Sequence, residues 1–297
     1  MASDSPEDQK RLEGAVGHPV ERYDAICERI QTGVKTFRAI ETDFLALIWC
    51  MDQYRIQQVV PRGMGNPKTR NVARRLEAVY RGKGNWFSAI SALILGQMTT
   101  SQLASRSDVW GFSQPHQIDI AWPARDTKPL VDPLICCEAK LTGAPPFPDN
   151  EGRGPMQDWS NRRKELKFQA TDLKLYRQAQ NTAIHNWDLW RKTAPPYVYS
   201  LWAARILIPE DVPKMIKEAQ NLTNTYSDGV GIYAFQVNSE KNGYEPAPLS
   251  KGVNERVTSL DNVLGTIAAQ ISQIMAANNN QVPAPVTPDD HPYSSDQ

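Results

Sequence analysis

Gln117-Ile118-Asp119-Ile120-Ala121-Trp122 and Pro133-Leu134-Ile135-Cys136-Cys137-Glu138-Ala139-Lys140 are the two stretches whose reading decides the fold. The first alternates apolar and polar residues like a half-buried strand. The second runs apolar on both faces through Ile135, Cys136 and Cys137, as a central strand covered on both sides does. Between them, from Pro123 to Pro133, the chain is rich in turn formers, so the two strands are expected to pair as a hairpin. Residues two apart on a strand share a face, which places Glu138 and Lys140 together and lets Asp119 join them from the neighbouring strand. Two carboxylates and an ammonium at the end of a buried strand suit a Mg²⁺ site with a cationic helper.

This arrangement resembles the PD-(D/E)XK nuclease superfamily, whose best-known members are type II restriction endonucleases. Glu138-Ala139-Lys140 matches the second half of the motif as written; Pro115 stands four residues before Asp119 rather than beside it. The resemblance implies a restriction-endonuclease-like α/β fold, a mixed sheet flanked by helices. It implies a Mg²⁺-dependent endonuclease that hydrolyses DNA phosphodiesters to a 5′-phosphate and a 3′-hydroxyl, with Mn²⁺ as an alternative metal. Asp119 and Glu138 would supply carboxylate oxygens and Ala139 its carbonyl, with waters and a phosphate oxygen completing the shell. Lys140 would orient the attacking water or stabilise the charge growing on phosphorus. Many family members carry a further Glu on the preceding helix, for which Glu77 is the candidate; pairing with Arg74 or Arg81 is its ordinary alternative. Gln117 shares the Asp119 face and is a candidate to orient a ligand or the water. Cutting both strands of double-stranded DNA needs two sites, which makes a homodimer the natural architecture.

The composition is that of a globular chain. Of 297 residues, 40% are hydrophobic and 22% charged, and 33 basic residues balance 33 acidic ones. A nucleic-acid enzyme with no net charge needs a local basic patch. One follows the motif: Arg162, Arg163, Lys164, Lys167 and Lys174 fall on an expected helix from Asp158 to Gln180, as DNA-backbone candidates. Trp159 and the stretch from Trp187 to Trp190 read as core or hinge aromatics. No apolar run is long enough to cross a membrane, and the first ten residues carry no signal-peptide pattern. The four cysteines have no framework spacing, which fits reduced thiols in a cytoplasm. His116 lies near Asp119 with no nucleophile beside it. No P-loop, dinucleotide fingerprint or Gly-x-Ser-x-Gly elbow is present.

Along the chain, residues 1–20 read as a flexible leader. Residues 21–70 read as a helical region whose apolar stripe (Tyr23, Ile26, Ile30, Val34, Phe37, Ile40, Phe44, Ile48, Met51) is a candidate dimerisation face. Residues 71–277 read as the catalytic domain and 278–297 as a disordered tail. Within the domain, helices are expected over Asn71–Tyr80 and Trp86–Met98, broken by Gly82-Lys83-Gly84. Strands are expected over 197–208 and 230–237, and helices over 212–226 and 260–275. A second reading keeps the fold without catalysis, as a nucleic-acid-binding protein; a third treats Glu138 and Lys140 as an ordinary ion pair in a structural partner protein.

Overall fold

A computed structural model of the protein describes residues 5–66, 68–125, 129–130, 133–146, 151–157, 159–179, 194–249, 253–254 and 256–278. The two quoted stretches form β2 (Pro115–Trp122) and β3 (Ile135–Thr142), preceded by β1 (Ala104–Trp110). β1, β2 and β3 are an antiparallel meander. β4 (Tyr197–Arg205) lies parallel to β3, and β5 (Gly229–Val237) parallel to β4. The outer edge of β5 is shared by two short strands, β6 (Tyr244–Pro246) antiparallel and β7 (Val257–Ser259) parallel. The result is a seven-stranded mixed sheet.

Helices cover both faces. On one lie α2 (Pro19–Gln31), α3 (Glu41–Ile56), α4 (Val72–Thr99) and α7 (Leu260–Asn278); on the other lie α5 (Trp159–Ala179) and α6 (Asp211–Thr225). The period-2 alternation of β4 sends Tyr199, Leu201 and Ala203 into the first layer and Val198, Trp202 and Ala204 into the second. Burial on both sides is why β3, β4 and β5 read as nearly continuous apolar runs. Each large aliphatic or aromatic side chain withdrawn from water here contributes about 1.5–3 kcal/mol.

Four expectations need correction. The leader is not loose over its described part: α1 (Pro6–Val16) buries Leu12 against Cys50, Tyr54 and Val59, and Gln9 Nε2 donates to the Val60 carbonyl at 2.7 Å. Leu12 and Val16, a single i,i+4 apolar pair in a polar stretch, leave little periodic signal.

The apolar stripe of the helical region is not an open face. Ile26, Ile30, Phe37, Ile40, Phe44, Ile48 and Met51 are all buried in the same core as the sheet residues Leu201 and Phe235. An apolar stripe cannot say which surface it will cover.

Gly82-Lys83-Gly84 does not break a helix; α4 runs unbroken through it. Two interior glycines cost about 1 kcal/mol each. Packing of Leu76, Val79, Phe87, Ile90 and Ile94 outweighs that, and Lys83 between the two glycines is buried with its ammonium 2.7 Å from Asp52 Oδ1.

Lys174 does not face solvent. It is buried on α5, with Nζ 3.3 Å from Asp228 Oδ2 and 3.2 Å from the Ala194 carbonyl. Trp187 to Trp190 and the expected tail beyond Asn278 lie outside the described residues. Among the described residues no helix is long and apolar enough to cross a membrane.

Candidate active site

The pairing of β2 with β3 ends at Ile120 opposite Cys137. The next pair in register would be Asp119 with Glu138, and there the strands part. The Asp119 side chain fills the gap: its Oδ2 accepts the backbone N–H of Ala139 at 2.9 Å, satisfying a donor that the ladder has released. Lys140 projects from the same face as Glu138. Its ammonium donates to Glu138 Oε2 at 2.6 Å and lies 3.6 Å from Asp119 Oδ2. Asp119, Glu138 and Lys140 are therefore one cluster, held by strand geometry rather than by loops.

Burial sets the electrostatics. Glu138 is only 3% exposed. Desolvation pushes its pKa up to about 7, with the Asp119 charge adding and the Lys140 charge opposing. Burial works against the Lys140 charge too, but the Glu138 and Asp119 carboxylates outweigh it and raise the ammonium above its ordinary value. Glu138 Oε2 is used by Lys140, whereas Oε1 is buried without a partner. Glu138 also borders a water-sized cavity of about 10 Å³ on the α5 side, shared with Ser200 and Gln169, whose Oε1 is likewise unpartnered.

The donor set fits a hard cation that keeps much of its water. Among the described residues no three His, Cys, Asp or Glu side chains form a ready-made cage. Mg²⁺ needs only one or two carboxylates when a phosphate and waters complete its shell. Glu138 Oε1, buried without a partner although Oε2 meets Lys140, is an oxygen that could still accept a ligand.

Asp119, Ala139 and Lys140 line an open cleft of about 710 Å³. Its other walls come from Glu77 to Asn85 of α4, from the β3 exit at Thr142 to Pro145, and from residues 153–157 with the start of α5. Cations dominate the lining: Arg55, Arg81, Lys83, Lys140, Arg153 and Arg162 against Glu77 and Asp119.

Glu77 lines this cleft but does not join the carboxylate pair. It is ion-paired with Arg55 of α3, rather than with Arg74 or Arg81. The α4 residue beside Asp119 is Ser88, whose Oγ donates to the Asp119 carbonyl at 3.4 Å. Eleven residues along one helix set Glu77 roughly 16 Å from that point. Gln117 is exposed on β2 opposite Asp108 and does not line the cleft.

Of the basic helix, Arg162 alone lines the cleft, and it meets Glu165 at 3.3 Å. Arg163 joins Glu218 of α6 at 3.0 Å, the same carboxylate that Trp159 Nε1 reaches at 2.8 Å. The Lys167 ammonium sits 4.6 Å from the Tyr226 ring centre, and Lys164 is exposed. Trp159 stacks face to face on Trp202 at 3.9 Å. His116 is buried and pairs with Asp172 at 2.8 Å.

Sequence reading missed Arg55, Tyr80, Arg81 and Arg153 as cleft residues. Arg55 belongs to α3 and reaches the cleft only because α3 packs on α4. Arg153 is carried in by a loop whose local signals are its glycines and prolines, which mark a turn but not where it packs. No protein-family model, no curated protein and no solved structure matches the chain.

Proposed function

We propose that the protein is a Mg²⁺-dependent endonuclease with a restriction-endonuclease-like fold, acting on double-stranded DNA in restriction or defence. The observation that carries the reading is the cluster of Asp119, Glu138 and Lys140 where β2 and β3 part. The element order supports it: a helix (α4), a three-strand meander, a helix (α5) and a further strand follow the order of the superfamily core.

When bound, the metal would supply charge neutralisation at the phosphate and a lowered pKa for a coordinated water. The chain's own residues hold and orient. Asp119 and Glu138 present oxygen donors, with Asp119 fixed by the Ala139 N–H. Lys140, kept charged by both carboxylates, stands where it can stabilise negative charge on the phosphoryl oxygens. Cutting both strands would call for two copies of the site, and the dimer face would have to lie outside the buried N-terminal stripe.

The test is incubation of unmethylated plasmid and phage DNA with the purified protein, in Mg²⁺, in Mn²⁺ and in EDTA, alongside Lys140→Ala. Discrete metal-dependent fragments that the folded variant fails to make support the reading. Absence of cutting with every substrate, while the folded protein still binds DNA, would leave the same fold serving as a nucleic-acid-binding protein.

A further inference from the structure

The cleft holds more positive charge than the catalytic cluster uses. Lys83 faces Asp52, Arg55 faces Glu77, and Lys140 faces Glu138 and Asp119. Arg81, Arg153 and Arg162, the last meeting Glu165 at 3.3 Å, add to the cationic lining. They come from three separate elements, α4, the loop after β3, and the first turn of α5, yet they line one cleft with Lys140. In a chain with 33 basic and 33 acidic residues, that concentration is local and not a reflection of overall charge.

The loop carrying Arg153 is built to hold its position. Ala144 and Arg153 exchange two backbone hydrogen bonds, each 2.9 Å. Gly143 and Gly152, at φ of +85° and +82°, make the turns beside that bridge. A side chain on Gly152 would come within 2.7 Å of Pro146 N and 2.8 Å of the Ala144 carbonyl, so the close approach needs glycine. Arg205, itself buried, donates from Nη1 to the Ala144 carbonyl at 3.2 Å, and the Tyr80 hydroxyl donates to the Gly143 carbonyl at 3.3 Å. The Arg153 backbone is thus tied to the sheet and to α4 before any ligand arrives. Such preorganisation lowers the ordering cost of binding.

The cleft volume lies within the span of roughly 300–1,000 Å³ usual for small-ligand sites. That is room for a short stretch of one strand.

We propose that Arg81, Arg153 and Arg162 form a phosphate-binding subsite that grips the sugar-phosphate backbone of a single nucleic-acid strand next to the scissile position. The inference rests on the nuclease reading for the direction of the strand, and on the cleft itself for the grip. Arg is suited to this, since its planar fork matches phosphate oxygens. Lys164, exposed on α5 and outside the cleft, takes no part.

The test uses a fluorescein-labelled twelve-nucleotide single strand and the full chain, with Ca²⁺ in place of Mg²⁺. Affinity is read by fluorescence anisotropy from 50 to 200 mM NaCl. Every phosphate that is no longer gripped should lower the slope of log K against log[salt] by about 0.7. The combined R81Q, R153Q and R162Q variant is therefore expected to lose about 2 units of slope and at least tenfold in affinity. Lysine at the same three positions should retain most of the slope, and Lys164→Gln all of it. Mg²⁺ affinity without DNA, measured by calorimetry, should match wild type in all of them. An unchanged slope in the folded triple variant overturns the subsite, even if the protein cuts DNA. A slope that falls as expected in a protein that neither binds Mg²⁺ nor cuts supports the subsite and sinks the nuclease reading instead.

Discussion

Asp119 accepts the backbone N–H of Ala139 at 2.9 Å, across the point where β2 and β3 stop pairing. One carboxylate thus repairs the break in the sheet and faces the cleft. Its charge and its hydrogen-bonding shape can be separated by mutation. Asp119→Asn keeps an acceptor for Ala139 and removes the charge. It should leave urea stability within about 0.5 kcal/mol of wild type while lowering the DNA cleavage rate at least a hundredfold, on the order of 2.7 kcal/mol of barrier. Asp119→Ala removes the acceptor as well and should cost about 1–2 kcal/mol of stability. Equal stabilities for the two variants would refute the repairing role.

Glu138 should contribute stability in acid that the metal-free protein loses toward neutrality. Its folded pKa of about 7 lies above the usual value of 4.5. Between those limits the folded state holds a proton that the unfolded chain has released. The stabilisation is complete below pH 4.5 and is lost as pH rises through about 7. The total is on the order of 3 kcal/mol. Urea midpoints measured in EDTA should fall across this window for wild type and not for Glu138→Gln. Adding Mg²⁺ should stabilise wild type far more at pH 8 than at pH 5.5, since the cation needs the carboxylate ionised.

Asp52 is fully buried, with Oδ1 serving Lys83 at 2.7 Å and Oδ2 accepting from the Tyr244 hydroxyl at 2.6 Å. Asp52→Ala strands the Lys83 ammonium and should cost about 3–5 kcal/mol. Replacing Asp52 and Lys83 together, by Leu and Met, should recover much of that loss. Denaturant titration of both variants decides the matter; a double variant no better than the single one contradicts the ion-pair account.

Lys174 separates a structural cation from a binding one. Sequence groups it with Arg162, but it is buried against Asp228. Lys174→Met should lower stability by about 3 kcal/mol and leave the salt slope of DNA binding unchanged. A loss of slope with stability intact would put Lys174 on the DNA side after all.

The parts of the fold that could be read from the chain are those with short-range signals. Asp119, Glu138 and Lys140 were legible because strand periodicity alone decides which residues share a face. The central strands were legible because two-sided burial requires continuous apolar runs. α1 was not, because its apolar face is only Leu12 and Val16, a single i,i+4 pair in a polar stretch. Gly82 and Gly84 misled because helix propensity is a local preference that buried packing overrode. Glu77 and Gln117 had plausible spacing, yet the register of α4 and the exposure of β2 set them apart from the pair.

By itself the sequence determined the hairpin, the acidic pair and its lysine, since these follow from the two-residue repeat of a strand and the length of a turn. Only the tertiary structure decided that the N-terminal stripe is spent in the core, that Arg55, Arg81, Arg153 and Arg162 meet in one cleft, and that Lys174 is sealed away. These arrangements join residues distant in the chain, and packing of α3 on α4 and of the β3 exit loop on the sheet brings them together. Backbone geometry specifies neighbours a few residues apart, and only the packed core selects among distant ones.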